Sequence, residues 1–191
     1  FGSSFRRPSP EIVHLTLQQC MHASDAMDFD TRVMKYYACP PAKVKLPIAG
    51  LQAAKRRRVG DHAIAMYDDE HWKGKRGHAP RAPDAVDMAA PFNASRFNFF
   101  KAGEAEKITS MELRGAPHAV LVNISPLMIG HTVVPLWREK LLPQSALGRE
   151  GVKAMFELAQ ASKRTDFCVA YNSLGAFASV NHLHVHGLYC R

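Results

Sequence analysis

Ala178-Ser179-Val180-Asn181-His182-Leu183-His184-Val185-His186-Gly187 sets three histidines at alternate positions, with Leu183 and Val185 between them. Successive side chains of a β-strand point to opposite faces. The spacing therefore predicts a strand with His182, His184 and His186 on one face and the two aliphatic residues buried on the other. Three adjacent imidazoles are costly as mere sheet surface. With an unperturbed pKa of about 6.5, each is largely neutral at neutral pH and can serve as a nucleophile, a base or a metal ligand.

Just upstream, Asn172, Ser173, Gly175 and Ser179 bring amide and hydroxyl groups beside the imidazoles, with Asn181 next to the first of them. Glycine lets backbone approach an anion closely, and Ser and Asn can bind phosphate oxygens, so the loop reads as a phosphate cradle. The same residues are also ordinary turn chemistry. The histidines themselves admit three readings. A neutral, oriented imidazole can attack phosphorus and form a covalent intermediate. Two histidines two apart on a strand can chelate zinc with a remote third ligand. The third reading is structural. Against a metal, no Asp or Glu follows Asp166.

Working outward, 191 residues with 47% hydrophobic and 22% charged side chains suffice for one globular domain with an ordinary core. No run of 18 or more apolar residues is present, so no membrane span is expected. The segment Gly2-Ser3-Ser4-Phe5-Arg6-Arg7 lacks the apolar centre of a signal peptide. Cys20, Cys39, Cys168 and Cys190 form no Cys-x-x-Cys pair, which argues against a zinc ribbon or a disulfide framework and for buried, reduced thiols in a cytoplasmic protein. Of the net charge of +8, half falls between Lys55 and Arg81, which hold eight Lys or Arg against four acidic residues. A positive field steers phosphorylated ligands and nucleic acid alike.

Along the chain, residues 1–50 read as a helical part. Ser9-Pro10-Glu11 opens a helix to about His22, and a second helix from about Asp28 to Tyr37 would bury Phe29, Val33 and Tyr36. Residues 51–90 read as a basic, mobile insertion, in which Lys55-Arg56-Arg57-Arg58 and Lys73-Gly74-Lys75-Arg76 also resemble a bipartite nuclear import signal. Nucleic-acid binding there is disfavoured, because Trp72 is the only aromatic residue near the basic clusters. Residues 91–191 read as the core. Strands are expected near Phe97–Lys101, Lys107–Leu113, Ala119–Ile124, Thr132–Leu136 and Phe167–Tyr171. A helix from about Ser145 to Ser162 would present Val152, Met155, Phe156 and Ala159 to the sheet. Strands, helix and strands in that order predict an α+β fold, a mostly antiparallel sheet with covering helices.

His182-Leu183-His184-Val185-His186-Gly187-Leu188 resembles the histidine triad motif, and Val122-Asn123-Ile124-Ser125-Pro126 and Gly130-His131-Thr132-Val133-Val134-Pro135 resemble that superfamily's paired strands. Within it, Phe97-Asn98-Phe99, Leu142-Pro143-Gln144 and above all the block from Tyr171 through His184 resemble the GDP-hexose phosphorylases, which act on GDP-D-glucose or GDP-L-galactose. The resemblance implies a histidine-triad-like sheet forming the first half of a longer two-half fold. It implies nucleotidyl transfer in which His184 attacks the α-phosphorus of a GDP-hexose, expels hexose 1-phosphate and becomes guanylylated; inorganic phosphate then releases GDP. His182 would orient the nucleophile and His186 would lie near the leaving group or phosphoryl oxygens. Asn172 and Ser179 match phosphate-binding positions, and Asn123 stands where relatives have a ribose-contacting acidic residue. The partners are then GDP-hexose and inorganic phosphate, with no cofactor or metal. His186 at the third triad position is also similar to nucleoside phosphoramidate hydrolases, which keeps hydrolysis as an alternative activity. A noncatalytic nucleotide-binding module is the other alternative. Hexose preference and oligomeric state stay open.

Overall fold

The computed structural model describes residues 27–48, 51, 55–59, 63–67 and 87–190. The helix expected between Pro10 and His22 lies outside them. Helix α1 spans Phe29–Ala38; the Asp28 carboxylate caps it by accepting from the Thr31 backbone N–H at 2.9 Å. Strands β1 (Lys55–Val59) and β2 (Ala63–Tyr67) pair antiparallel as a hairpin. Part of the stretch expected to be a loop insertion is thus sheet, with the pairing running from Lys55 opposite Tyr67 to Val59 opposite Ala63.

The core is a five-stranded, wholly antiparallel sheet in the order β3-β4-β5-β7-β6, formed by β3 (Lys107–Leu113), β4 (Ala116–Val122), β5 (Thr132–Pro135), β6 (Phe167–Ala170) and β7 (His184–Tyr189). With helix α2 (Gly148–Gln160) and α1 it makes the expected α+β fold. Arg114 and Gly115, both at positive φ, form the two-residue turn between β3 and β4 that right-handed strand twist favours. Arg114 also clamps that turn to α2, bonding Glu157 at 2.7 Å and Glu150 at 2.9 Å.

One sheet face packs Leu113, Val120, Val134, Leu136, Leu183 and Val185 against Ala154 and Leu158 of α2. Each such fully buried Val or Leu contributes about 1.5–3 kcal/mol. Helix α1 adds a second cluster, with Val33 and Tyr37 against Val122 and Tyr189. Its Asp30 is a buried brace that accepts from Ser162 Oγ at 2.6 Å, Lys163 N at 2.9 Å and Tyr189 OH at 2.7 Å, tying α1 to the end of α2 and to β7.

Three expectations need correction. Phe97–Lys101 is not a strand: the Asn98 side chain accepts from Phe100 N and donates to Ala94 O and Arg96 O, turning the chain into a 3₁₀ segment at Phe99–Lys101. Helix α2 buries Gly151, Ala154 and Leu158, whereas Val152 and Phe156 are exposed. Small residues let the helix approach the sheet, and the Glu150 and Glu157 bonds to Arg114 fix its rotation. The thiols of Cys39, Cys168 and Cys190 are exposed rather than buried. No helix among the described residues is long and apolar enough to cross a membrane.

Candidate active site

The second sheet face carries Leu121, Val133, His184 and His186, which with Phe97, Phe99, Asn123, His131, Asn172 and Ser179 line a cavity of about 270 Å³. Register explains the meeting. Val133 on β5 lies opposite His186, and Ala170 on β6 lies opposite the same residue from the other side, so His186 sits mid-sheet with a strand on each flank, whereas His184 pairs with Pro135 of β5 alone.

His184 is 4% exposed. Its Nδ1 lies 2.7 Å from the carbonyl oxygen of His182. A carbonyl can only accept, so Nδ1 carries the proton and Nε2 keeps its lone pair. Burial first, and the neighbouring His186 second, push the His184 pKa down to about 3, so the ring is neutral across the physiological range.

His182 packs on the same Phe99 ring as His184 but lies apart from the cavity. It precedes β7, is fully buried and does not line the cavity. Its ring sits among Phe92, Phe99 and Phe100. Phe99 N–H donates to its Nδ1 at 3.3 Å, and its Nε2 donates to Arg138 O at 3.1 Å. Burial also lowers its pKa. The chain turns at Trp137 and Leu141, both at positive φ, and the residues flanking that turn take the backbone bonds of Leu183: Leu136 N–H donates to Leu183 O at 3.0 Å, and Leu183 N–H donates to Leu142 O at 2.8 Å. His182 therefore meets His184 through its backbone carbonyl, while its own ring is fixed outside the cavity lining.

His186 belongs to a one-way hydrogen-bond chain. Leu127 N–H donates to His131 Nδ1 at 2.9 Å, which leaves the His131 proton on Nε2, 2.9 Å from His186 Nδ1. His186 Nε2 then donates to Asn172 Oδ1 at 3.1 Å, and Asn172 Nδ2 donates to Ala176 O at 3.0 Å. Each link has one donor and one acceptor, so both imidazoles are satisfied in their neutral forms. Asn123 Oδ1 accepts from Ser125 N, which turns its amide nitrogen toward His131 Nε2 at 3.1 Å; this is a close approach of two donors in that tautomer.

The other expected substrate residues divide. Asn123, Asn172 and Ser179 line the cavity. Ser173, Gly175 and Asn181 do not. Ser173 accepts the backbone N–H groups of Ala176 and Ala178, and a Cβ at Gly175 would fall 2.4 Å from Met88 Sδ. Asn181 spends its side chain on Gln144 N, Ala90 O and Pro91 O. His131, which lies just before β5 and lines the cavity, is not among the expected site residues, although a lone histidine ahead of the apolar run in Gly-His-Thr-Val-Val-Pro is a usable signal. Among the described residues no group of three His, Cys, Asp or Glu side chains is disposed to hold a metal ion.

The arrangement can present an uncharged imidazole nitrogen to an electrophile in a cavity rich in neutral hydrogen-bonding groups. The family model described as GDPGP1-like, N-terminal domain matches residues 60–188. GDP-D-glucose phosphorylase 1 of Danio rerio is 36% identical over 116 residues, 60% of this chain and 34% of that protein. The Homo sapiens protein of the same name is 34% identical over 124 residues, covering 60% and 32%. GDP-L-galactose phosphorylase 2 of Arabidopsis thaliana is 30% identical over 118 residues, covering 52% and 27%. The chain thus spans about a third of the length of these curated relatives. No solved structure matches it significantly. With a family match over residues 60–188, the chain belongs to the GDPGP1-like, N-terminal domain family, that of the GDP-hexose phosphorylases.

Proposed function

We propose that the chain carries the nucleotidyl-transfer site of a GDP-hexose phosphorylase, built on a histidine-triad-like core at residues 91–191. The observation that carries this reading is the 2.7 Å contact of His184 Nδ1 with the His182 carbonyl, which leaves Nε2 as the basic nitrogen of a neutral ring beside the cavity. In the reaction, His184 Nε2 attacks the α-phosphorus of GDP-D-glucose or GDP-L-galactose. The bond from the α-phosphorus to the bridging oxygen breaks, and hexose 1-phosphate leaves with the bond's electron pair. The guanylylated ring is cationic, its Nδ1–H held by the His182 carbonyl. An oxygen of inorganic phosphate then attacks the same phosphorus, GDP departs, and the electron pair of the broken N–P bond returns to His184 Nε2. No external base is needed, because the leaving group departs as a phosphate anion.

His186, hydrogen-bonded to His131 and Asn172, is assigned to the phosphoryl oxygens, for which it would exchange its bond to Asn172, and Asn172 and Ser179 are assigned as neutral polar groups where negative charge develops; their place in the cavity lining supports this. Asn123 is assigned to the ribose side. The names of the relatives support the choice of GDP-hexose and phosphate.

The test is intact-protein mass after mixing with GDP-D-glucose in phosphate-free buffer, wild type beside His184→Asn. A guanylyl mass gain in wild type alone, discharged as GDP when phosphate is added, supports the mechanism. Steady turnover without phosphate indicates a hydrolase instead, and GDP-sugar binding without an adduct in either protein indicates a binding module.

A further inference from the structure

Gln144 is fully buried between β7 and the segment that follows β6, and every polar atom of its side chain is used. Its Oε1 accepts from His184 N–H at 2.9 Å, and its Nε2 donates to His184 O at 3.1 Å. A side-chain amide thus pairs with both backbone groups of one residue, as a residue on a neighbouring strand would.

The register says which residue it replaces. Strands β6 and β7 pair from Phe167↔Tyr189 to Ala170↔His186. Two positions further, the antiparallel partner of His184 would be Asn172. The chain leaves the sheet before that point, and the same Gln144 Nε2 donates to Asn172 O at 2.9 Å. The amide fills the gap where the strands part. Gln144's own backbone is fixed in turn, its N–H by Asn181 Oδ1 at 2.8 Å and its carbonyl by Tyr171 OH.

Separation of the strands has two uses. It releases the Asn172 side chain to reach His186 Nε2 at 3.1 Å. It would also leave the backbone of His184 unpaired on one side, at the residue whose ring must be held most accurately. An error of an ångström in a nucleophile's position can cost about 100-fold in rate.

We propose that Gln144 is a positioning residue for nucleotidyl transfer: its amide stands in for the missing strand partner of His184, fixing the nucleophile and the Asn172–His186 pair in one geometry. The role rests on the function proposed above. It requires a group that both accepts and donates, which glutamine offers at every pH. A protonated glutamic acid keeps the bond from His184 N–H and can make one of the two donations; a carboxylate keeps the bond from His184 N–H but loses both donations.

The test compares wild type, Gln144→Glu and Gln144→Met between pH 5.5 and 8.5, by the single-turnover rate of guanylyl adduct formation at saturating GDP-D-glucose and by the Kd for GDP. We expect Gln144→Glu to stay within about threefold of wild type at pH 5.5 and to fall at least about tenfold below it by pH 8.5, with the Kd for GDP unchanged. Parallel pH profiles of the two proteins, or a loss that appears in Kd rather than in rate, would overturn the proposal. A second readout does not depend on the reaction. Amide hydrogen exchange at His184 should accelerate at least about tenfold in Gln144→Met while that of Val134 and Val185 is unchanged. No adduct in wild type would count against the function, whereas an unchanged His184 exchange rate would count against Gln144 by itself.

Discussion

Acid should unfold this protein partly through His184, and the size of that effect follows from its burial. The folded ring titrates near pH 3, against 6.5 for an ordinary histidine. Because the folded value is the lower one, the unfolded chain takes up the proton first as pH falls. Stability from this site is fully present above pH 6.5 and is lost progressively between 6.5 and about 3. One proton of difference is worth about 1.4 kcal/mol per pH unit, so between pH 7 and pH 5 the site removes about 2 kcal/mol. The assay is urea unfolding of wild type and His184→Asn at pH 7, 6 and 5. All other titrating groups are common to both, so their difference in unfolding free energy isolates His184. The variant starts less stable, since asparagine underfills the site, but the gap should narrow by about 2 kcal/mol on going to pH 5. A gap that stays constant to within about 0.5 kcal/mol would refute the claim that the ring is held neutral by burial.

Removing the Asp30 carboxylate strands a buried tyrosine hydroxyl and the Lys163 N–H, so Asp30→Ala should cost about 3 kcal/mol by urea unfolding, against about 1 kcal/mol for Tyr189→Phe. A Cβ at Gly187 would lie 2.5 Å from Thr132 Oγ1 and 2.8 Å from Phe167 Cζ; Gly187→Ala should therefore lose about 1–3 kcal/mol, with β5–β7 amides exchanging faster. Although Cys168 is exposed as a residue, partial desolvation of its sulfur and the contact with Cys190 Sγ at 3.2 Å push the thiol up to about 12, so iodoacetamide at pH 8 should label Cys39 well before Cys168 in peptide mapping. Deleting the acceptor for His186 in Asn172→Ala should slow guanylyl adduct formation by about five- to tenfold, read by the same mass assay.

Much of the sheet was legible because its signals are local. Strand β3 occupies the expected residues 107–113, β4 and β5 overlap the strands expected near 119–124 and 132–136, and α2 lies within the expected span. The misreadings arose where tertiary contacts outweigh periodicity. The apolar stripe through Val152 and Phe156 is real in sequence, yet the glycine and alanine beside it allow closer approach, and distant Arg114 selects that side.

For the site, sequence alone determined that His184 and His186 share a face opposite the buried Val185, because two-residue alternation is a property of the extended backbone itself. Only the tertiary structure decided the rest. It bonded Leu136 and Leu142 to the strand's start at Leu183, where the His182 ring stays outside the cavity, and it brought His131 to His186 across 55 residues of chain. It also set the amide of Gln144 where two strands separate. None of these has a local signature, since a hydrogen bond between distant residues depends on how strands are ordered in the sheet, and that order is set by burial summed over the whole core.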